Sequence, residues 1–304
     1  NGWKLTGNSE AKYLTHVLNW GNVKFTNMSH MFEYAEKLNS FPTQAPDTSE
    51  VTSMKEMFNG ATAFNQPVNF NTSKVTDMSD MFSGAAAFNQ PINFNTSKVT
   101  NMSHMFSGTY AFNQPVNFDT SKVTNMSYMF YGTSVFNKTL NFDTSNVTDM
   151  KAMFYDTKVF NQPVNFNTSQ VTDMSYMFYG AKVFNQDLSV LDFTAVQTIE
   201  HFVSNSKLSV ENYDKLLKKW HTQLKGSQIA HKPIVHKPKS DNLKYCTAET
   251  EHDYLRNTKN WEFNDSKHCP PAFTTRWTDL PAGKFEIKLH GNDNTFKIDW
   301  GNGT

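Results

Sequence analysis

The sequence carries no surplus charge of either sign: its 304 residues hold 28 lysines and arginines against 28 aspartates and glutamates. That balance removes the general electrostatic reason to expect nucleic acid or an anionic membrane surface as a partner. There is no run of about 18 apolar residues, so no direct membrane insertion is expected. The opening Asn1-Gly2-Trp3 lacks the charged, apolar and small-residue order of a signal peptide, which reads as an excised or processed fragment. A Gly-x-Ser-x-Gly nucleophile turn, a phosphate-binding glycine loop and zinc-ligand spacing are all missing, so no enzyme activity, cofactor or metal is assigned. His231 and His236 stand in the aperiodic loop "HKPIVHKPKSD" with no second pair of ligands beside them. Cysteine is scarce, with Cys246 and Cys269 both in the last quarter. Two free buried thiols are one reading. The other, preferred because nothing around either residue looks catalytic, is a disulfide worth about 3 kcal/mol for a loop of this length.

What the chain has in abundance is repetition. The Met-Phe pair recurs at 57-58, 81-82, 105-106, 129-130, 153-154 and 177-178, a period of 24 residues kept also by Val51 to Val171 and by Phe64 to Phe184. A period of this size signals a solenoid, propeller or array. Worn copies at 25–32 and around Val196, Ile199 and Phe202 look like end caps. Within one unit Val75, Met78, Met81 and Phe82 keep the spacing of a helical turn, whereas Ile92 and Phe94 keep that of a strand. A lone unit buries too little to offset the ordering of its own backbone, so each coil must match the coil beside it.

The smaller residues acquire jobs from this frame. Gly60, Gly84, Gly108, Gly132 and Gly180, with Asp156 at the equivalent place, suggest a left-handed turn. Asn65, Asn89, Asn113, Asn137, Asn161 and Asn185 follow the repeated phenylalanine and read as an internal ladder satisfying loop backbone groups, a ligand-binding row being the alternative. Positions that vary between units gather Tyr128, Tyr131, Tyr155, Tyr176 and Tyr179 in the later half. Clustered tyrosines suit a protein or glycan partner; the plainer reading is that they cover neighbouring coils.

From Ser209 the pattern changes. Tyr213, Leu216, Leu217, Trp220 and Leu224 fall at helical spacing behind Ser209 as N-cap, with Gly226 just past the end, and the helix is expected to lie over the last coil. A second helix is expected from about Thr247, burying Tyr254 and Leu255. Residues 272–304 alternate as strands at Phe285, Ile287 and Leu289 and at Phe296, Ile298 and Trp300.

The string "VTDMSDMFSGAAAFNQPINFNTS", residues 75–97, resembles the repeat unit of BspA-like leucine-rich-repeat bacterial surface proteins, and the match runs from 25 to about 203. "LSVENYDKLLKKW", "KYC" and "NWEFND" look like the segment closing such arrays, and the ending "DWGNGT" resembles a turn of PKD-like β-sandwich modules. Asn-Phe at 69-70, 93-94, 117-118, 141-142 and 165-166 stands where family members often have tryptophan. The resemblance implies a solenoid of leucine-rich-repeat type, with short parallel strands and short helical turns in each 24-residue coil. It divides the chain into an N-terminal flank at 1–24, the solenoid at 25–206, a helical cap at 207–269 and a β segment at 270–304. It implies an extracellular or cell-surface bacterial protein, non-enzymatic, that adheres to a host or neighbouring-cell surface protein or glycan.

Two other functions have a sequence basis. Threonine rows at 52, 76, 100, 124, 148 and 172 and at 72, 96, 120, 144 and 168 would give an ice-binding solenoid regular hydroxyls and methyls. A polysaccharide-active enzyme would need paired carboxylates, yet the row Asp77, Asn101, Asn125, Asp149, Asp173 is broken by asparagines and lacks the order of a calcium loop. Glycosylation acceptors at Asn71, Asn95, Asn101, Asn125, Asn146 and Asn167 would threaten coil stacking in a eukaryotic secretory path, which favours a bacterial exterior.

Overall fold

The computed structural model describes residues 10–225, 243–258, 261, 263 and 265–269. His231, His236, Gly226, the Leu224 side chain and the β segment with its PKD-like ending lie outside them. Two compact units divide the chain, 1–269 and 270–304; the features below belong to the first.

Successive 24-residue windows are hydrogen-bonded to one another, each such N–H reaching the carbonyl of the residue just before its own counterpart, 23 positions on. Met54, Glu56, Phe58 and Gly60 donate their N–H groups to the carbonyls of Asp77, Ser79, Met81 and Ser83 at 3.0, 2.9, 2.9 and 2.7 Å. The residues between them turn back instead: Met57, Asn59 and Ala61 donate to Met54, Glu56 and Phe58 at 3.2, 3.2 and 3.1 Å. Every second N–H thus bonds across coils and every other one bonds locally, with Glu56 and Gly60 at φ 54° and 70°. That alternation interrupts both a helix and a ladder. Where short helical turns and short strands were expected, the coils are joined by single-residue parallel bridges, Ser53↔Asp77 through Asp173↔Thr198. The Ile92-Asn93-Phe94 stretch, read as a strand, buries 92 and 94 and exposes 93. Side chains tie that stretch to its neighbours, as when Thr72 Oγ1 donates to the Asn95 carbonyl at 3.0 Å.

The core is two columns of phenylalanine. Phe58 and Phe64 stack at 4.2 Å within a coil, and each faces its counterpart in the next, Phe82 at 5.4 Å and Phe88 at 5.9 Å. Phe106 with Phe112 and Phe130 with Phe136 repeat the pair at 4.2 and 4.3 Å. All eight rings are fully buried, with the Val and Met columns beside them. Such offset stacks add to the apolar area that each coil removes from water.

The asparagine ladder joins the coils on the outside. Asn89, Asn113, Asn137, Asn161 and Asn185 donate N–H to the Oδ1 of the asparagine before them at 3.0, 3.0, 3.1, 3.0 and 2.8 Å. Gln90, Gln114, Gln162 and Gln186 add a side-chain donor to the same Oδ1 atoms of Asn65, Asn89, Asn137 and Asn161. These asparagines are exposed to half-buried, so the ladder is not the internal one expected.

Both ends depart from the regular step. Met28 and His30 donate to Ser53 and Lys55, 25 positions on where the regular coils have 23, and a bridge His16↔Ser40 carries the pairing back into the stretch read as a flank. A short 3-10 turn, Ala11–Tyr13, precedes it. At the other end α1, Val210–Lys225, starts where the Ser209 hydroxyl accepts from the Asn212 N–H at 3.2 Å. It packs on the last coil through Trp220, 5.8 Å from Phe193 and 6.2 Å from Phe202. Ser209 N–H and Asn212 Nδ2 continue the ladder onto Asn185 Oδ1 at 2.8 and 3.0 Å. Beyond α1, the two-residue strands β1, Lys244–Tyr245, and β2, Ser266–Lys267, pair in parallel around α2, Glu249–Thr258. Cys246 and Cys269 form a disulfide beside them. The buried Asp214 of α1 holds this junction by accepting from the N–H groups of Cys246 and Thr247 at 2.9 and 2.8 Å.

Candidate functional site

Two surface columns follow from the coil geometry. The residue before each Met-Phe pair, His30, Glu56, Asp80, His104, Tyr128, Ala152 and Tyr176, and His201 before the degenerate Phe202-Val203, is left-handed, with φ between 51° and 61°. Its N–H is committed to the next coil, as Tyr128 N–H is to the Lys151 carbonyl at 2.8 Å, so the backbone pins where its side chain begins. The residue after the pair forms the second column, with Tyr131, Tyr155 and Tyr179 in the later coils. Non-glycine residues pay about 1–2 kcal/mol for this conformation.

The five tyrosines come together as one patch. Tyr131 stacks on Tyr155 and Tyr155 on Tyr179, each at 4.8 Å and at 20° and 19°. Tyr128 leans on Tyr131 at 5.8 Å, and Tyr176 on Tyr179 at 5.9 Å. All five are half-buried. Burial first, then neighbouring tyrosines, raises the Tyr155 phenol above its ordinary value; burial first, then Glu200, does the same for Tyr176. Both phenols therefore stay neutral across the physiological range.

Sequence reading missed the histidines that bound the patch. His104 stacks on Tyr128 at 4.4 Å, and His201 on Tyr176 at 5.1 Å. Their signal was the register alone, since each occupies the Tyr128 position of its own coil. The same column becomes ionisable toward the early coils. Asp80 is held above the ordinary carboxylate range by burial, with Glu56 adding to the rise and His104 opposing it. His30 Nδ1 lies 3.0 Å from Glu33 Oε2 and 3.4 Å from Glu56 Oε2.

The other rows are occupied with turn bonds inside a coil or with bonds that join the coils. Asp77, Asn101, Asn125, Asp149 and Asp173 each use Oδ1 to accept an N–H two residues on, at 2.8–3.0 Å. Only that oxygen is needed, so aspartate and asparagine interchange. Thr72, Thr96, Thr120, Thr144 and Thr168 are buried. The Thr76, Thr100, Thr124 and Thr148 hydroxyls donate to the threonine carbonyl of the preceding coil at 3.2 Å. Among the described residues no helix is long and apolar enough to cross a membrane.

A family model described as "Mycoplasma protein of unknown function, DUF285" matches residues 26–139 and 116–220, which together span the repeated coils and most of α1. No curated protein and no solved structure matches the chain.

Proposed function

The chain belongs to the DUF285 family, and from that premise we propose that it is a BspA-type surface repeat protein, a solenoid of leucine-rich-repeat type that binds a protein partner through its tyrosine patch. The observation that carries this reading is the stacking of Tyr131, Tyr155 and Tyr179 at 4.8 Å. Ring faces in contact with one another are closed to a ligand, which leaves mainly ring edges and hydroxyls to the outside. A sugar that packs its C–H face on an aromatic ring needs an open face, so the patch favours protein over glycan. Tyrosine held in a stack has already lost its rotamer freedom, which lowers the entropy cost of binding. The role proposed is adhesion to a host or neighbouring cell, without catalysis.

The disulfide Cys246–Cys269 supports an extracellular or cell-surface location, because such bonds persist in oxidising compartments. A PKD-like module from residue 270 belongs to the same reading and is supported by "DWGNGT" alone. Ice binding and polysaccharide chemistry draw less support, since the threonine hydroxyls and the Asp/Asn row are engaged in coil-to-coil and turn bonds. Binding of the chain to immobilised extracellular-matrix proteins and to a glycan array, compared with a Tyr131→Ser/Tyr155→Ser/Tyr179→Ser variant of unchanged circular dichroism, tests the proposal. We expect protein binding that weakens at least about tenfold in the variant, as loss of a central aromatic cluster should. Equal binding by the variant, or binding to glycans only, overturns it.

A further inference from the structure

His30, Glu33 and Glu56 are, among the described residues, the one group of three or more metal-ligating side chains whose ligand atoms converge, all lying within 4.8 Å of one another. We propose that His30 Nδ1, Glu33 Oε2 and Glu56 Oε2 bind a divalent first-row transition-metal ion, Zn2+ foremost, independently of the tyrosine patch. The separations of 3.0 and 3.4 Å from the imidazole nitrogen to the two carboxylate oxygens match the spacing of donors placed about 2.0–2.2 Å from a common centre. A neutral imidazole with two carboxylates balances the charge of a divalent ion. One nitrogen and two oxygens suit Zn2+ and its neighbours, whereas Ca2+ takes six to eight oxygens and soft ions take sulfur.

The fold prepares this arrangement. His30 and Glu33 lie one turn apart on the same coil, and Glu56 comes from the next, so the site spans a coil junction. His30 and Glu56 are both left-handed, and their N–H groups are fixed on the Lys55 and Ser79 carbonyls at 2.9 Å each. Lys55 Nζ lies 3.4 Å from Glu56 Oε1, the oxygen that the cluster does not use, and so orients the carboxylate as an outer partner does. All three side chains are half-buried, which limits their loss of freedom on binding. Three protein ligands leave a position for water or for a side chain of a partner. The competing account is an imidazolium bridging two carboxylates with no ion.

Calorimetric titration of the chelator-treated 304-residue chain with Zn2+ distinguishes the two, and Co2+ supplies a visible absorption band that reports the ligand set. We expect saturable Zn2+ binding that weakens at least about tenfold both in His30→Ala and in the shape-preserving Glu33→Gln/Glu56→Gln variant, with the Co2+ band lost in each. The double glutamine variant keeps the test valid if the alanine variant misfolds. No binding by the wild-type chain, or binding of equal strength in the glutamine variant with ions held on other histidines, overturns the proposal.

Discussion

The Gly132 position tests whether left-handed backbone, and not side-chain space, dictates which residues the coils accept. Gly132 has φ 67°, and a Cβ built on it would meet nothing within 4 Å. Gly132→Ala therefore adds no clash, and its cost is the conformation alone, about 1–2 kcal/mol. Asp156 occupies the equivalent place one coil later at φ 51° with an exposed side chain, and its N–H bond to the Tyr179 carbonyl at 2.7 Å needs no side chain. Asp156→Gly removes that strain but admits a more flexible unfolded chain, so the net gain is about 0.5–1 kcal/mol. Denaturant unfolding followed by circular dichroism, with equal slopes for all variants, measures both. The two substitutions are expected to shift the midpoint in opposite directions. A neutral Gly132→Ala, or an Asp156→Gly that destabilises, would refute the reasoning and assign the glycine column to packing.

Three further substitutions address the polar rows. Asn89 Oδ1 accepts from both Asn113 N–H and Gln114 Nε2, whereas at the next step Lys138 stands where the other coils have glutamine; Asn89→Ala should cost about 1–2 kcal/mol and Lys138→Gln should add about 0.5–1 kcal/mol by completing a rung, both read from thermal midpoints. Burial, followed by the neighbouring Asp173, raises the Asp149 carboxyl above its ordinary value against the Lys151 N–H bond that lowers it. A carboxyl raised on folding stabilises the fold below its unfolded value and loses that contribution as pH climbs through the folded value. Asp149→Asn, which keeps the Oδ1 acceptor as Asn101 and Asn125 do, should stabilise the chain at pH 7 by less than about 1 kcal/mol, given partial solvent screening, and flatten the fall in stability on leaving the acid range. A steeper fall in the variant would contradict the assignment.

Much of this is legible in the amino-acid sequence. The 24-residue period, the Val, Met and Phe columns destined for burial and the N-cap at Ser209 follow from spacing and residue type; the pairing of Cys246 with Cys269 is the preferred of two readings, and Tyr254, expected to be buried with Leu255, is half-buried. The Ile92-Asn93-Phe94 alternation was legible too, yet it misled: burial on alternate positions says which side chains go in and nothing about where the backbone bonds go. Here the bonds fall on the Met-Phe segment, where every second N–H bonds to the next coil and every fourth residue, Glu56 and Gly60 in one coil, is left-handed. The asparagine ladder was foreseen as internal and lies at the surface, since what it satisfies is the chain's outer edge.

The sequence by itself determined that the coils must match, because no single unit buries enough to hold its backbone in order, and it determined which side chains repeat. Only the tertiary structure decided what those repeats bring together. Glu56 stands 26 positions after His30, and His104 one coil before Tyr128; each pair is distant along the chain and shares a column only through the coil register. They become neighbours because stacking converts a step of one coil into about 4.8 Å of distance, and at that distance ring faces close on one another and carboxylates share a histidine.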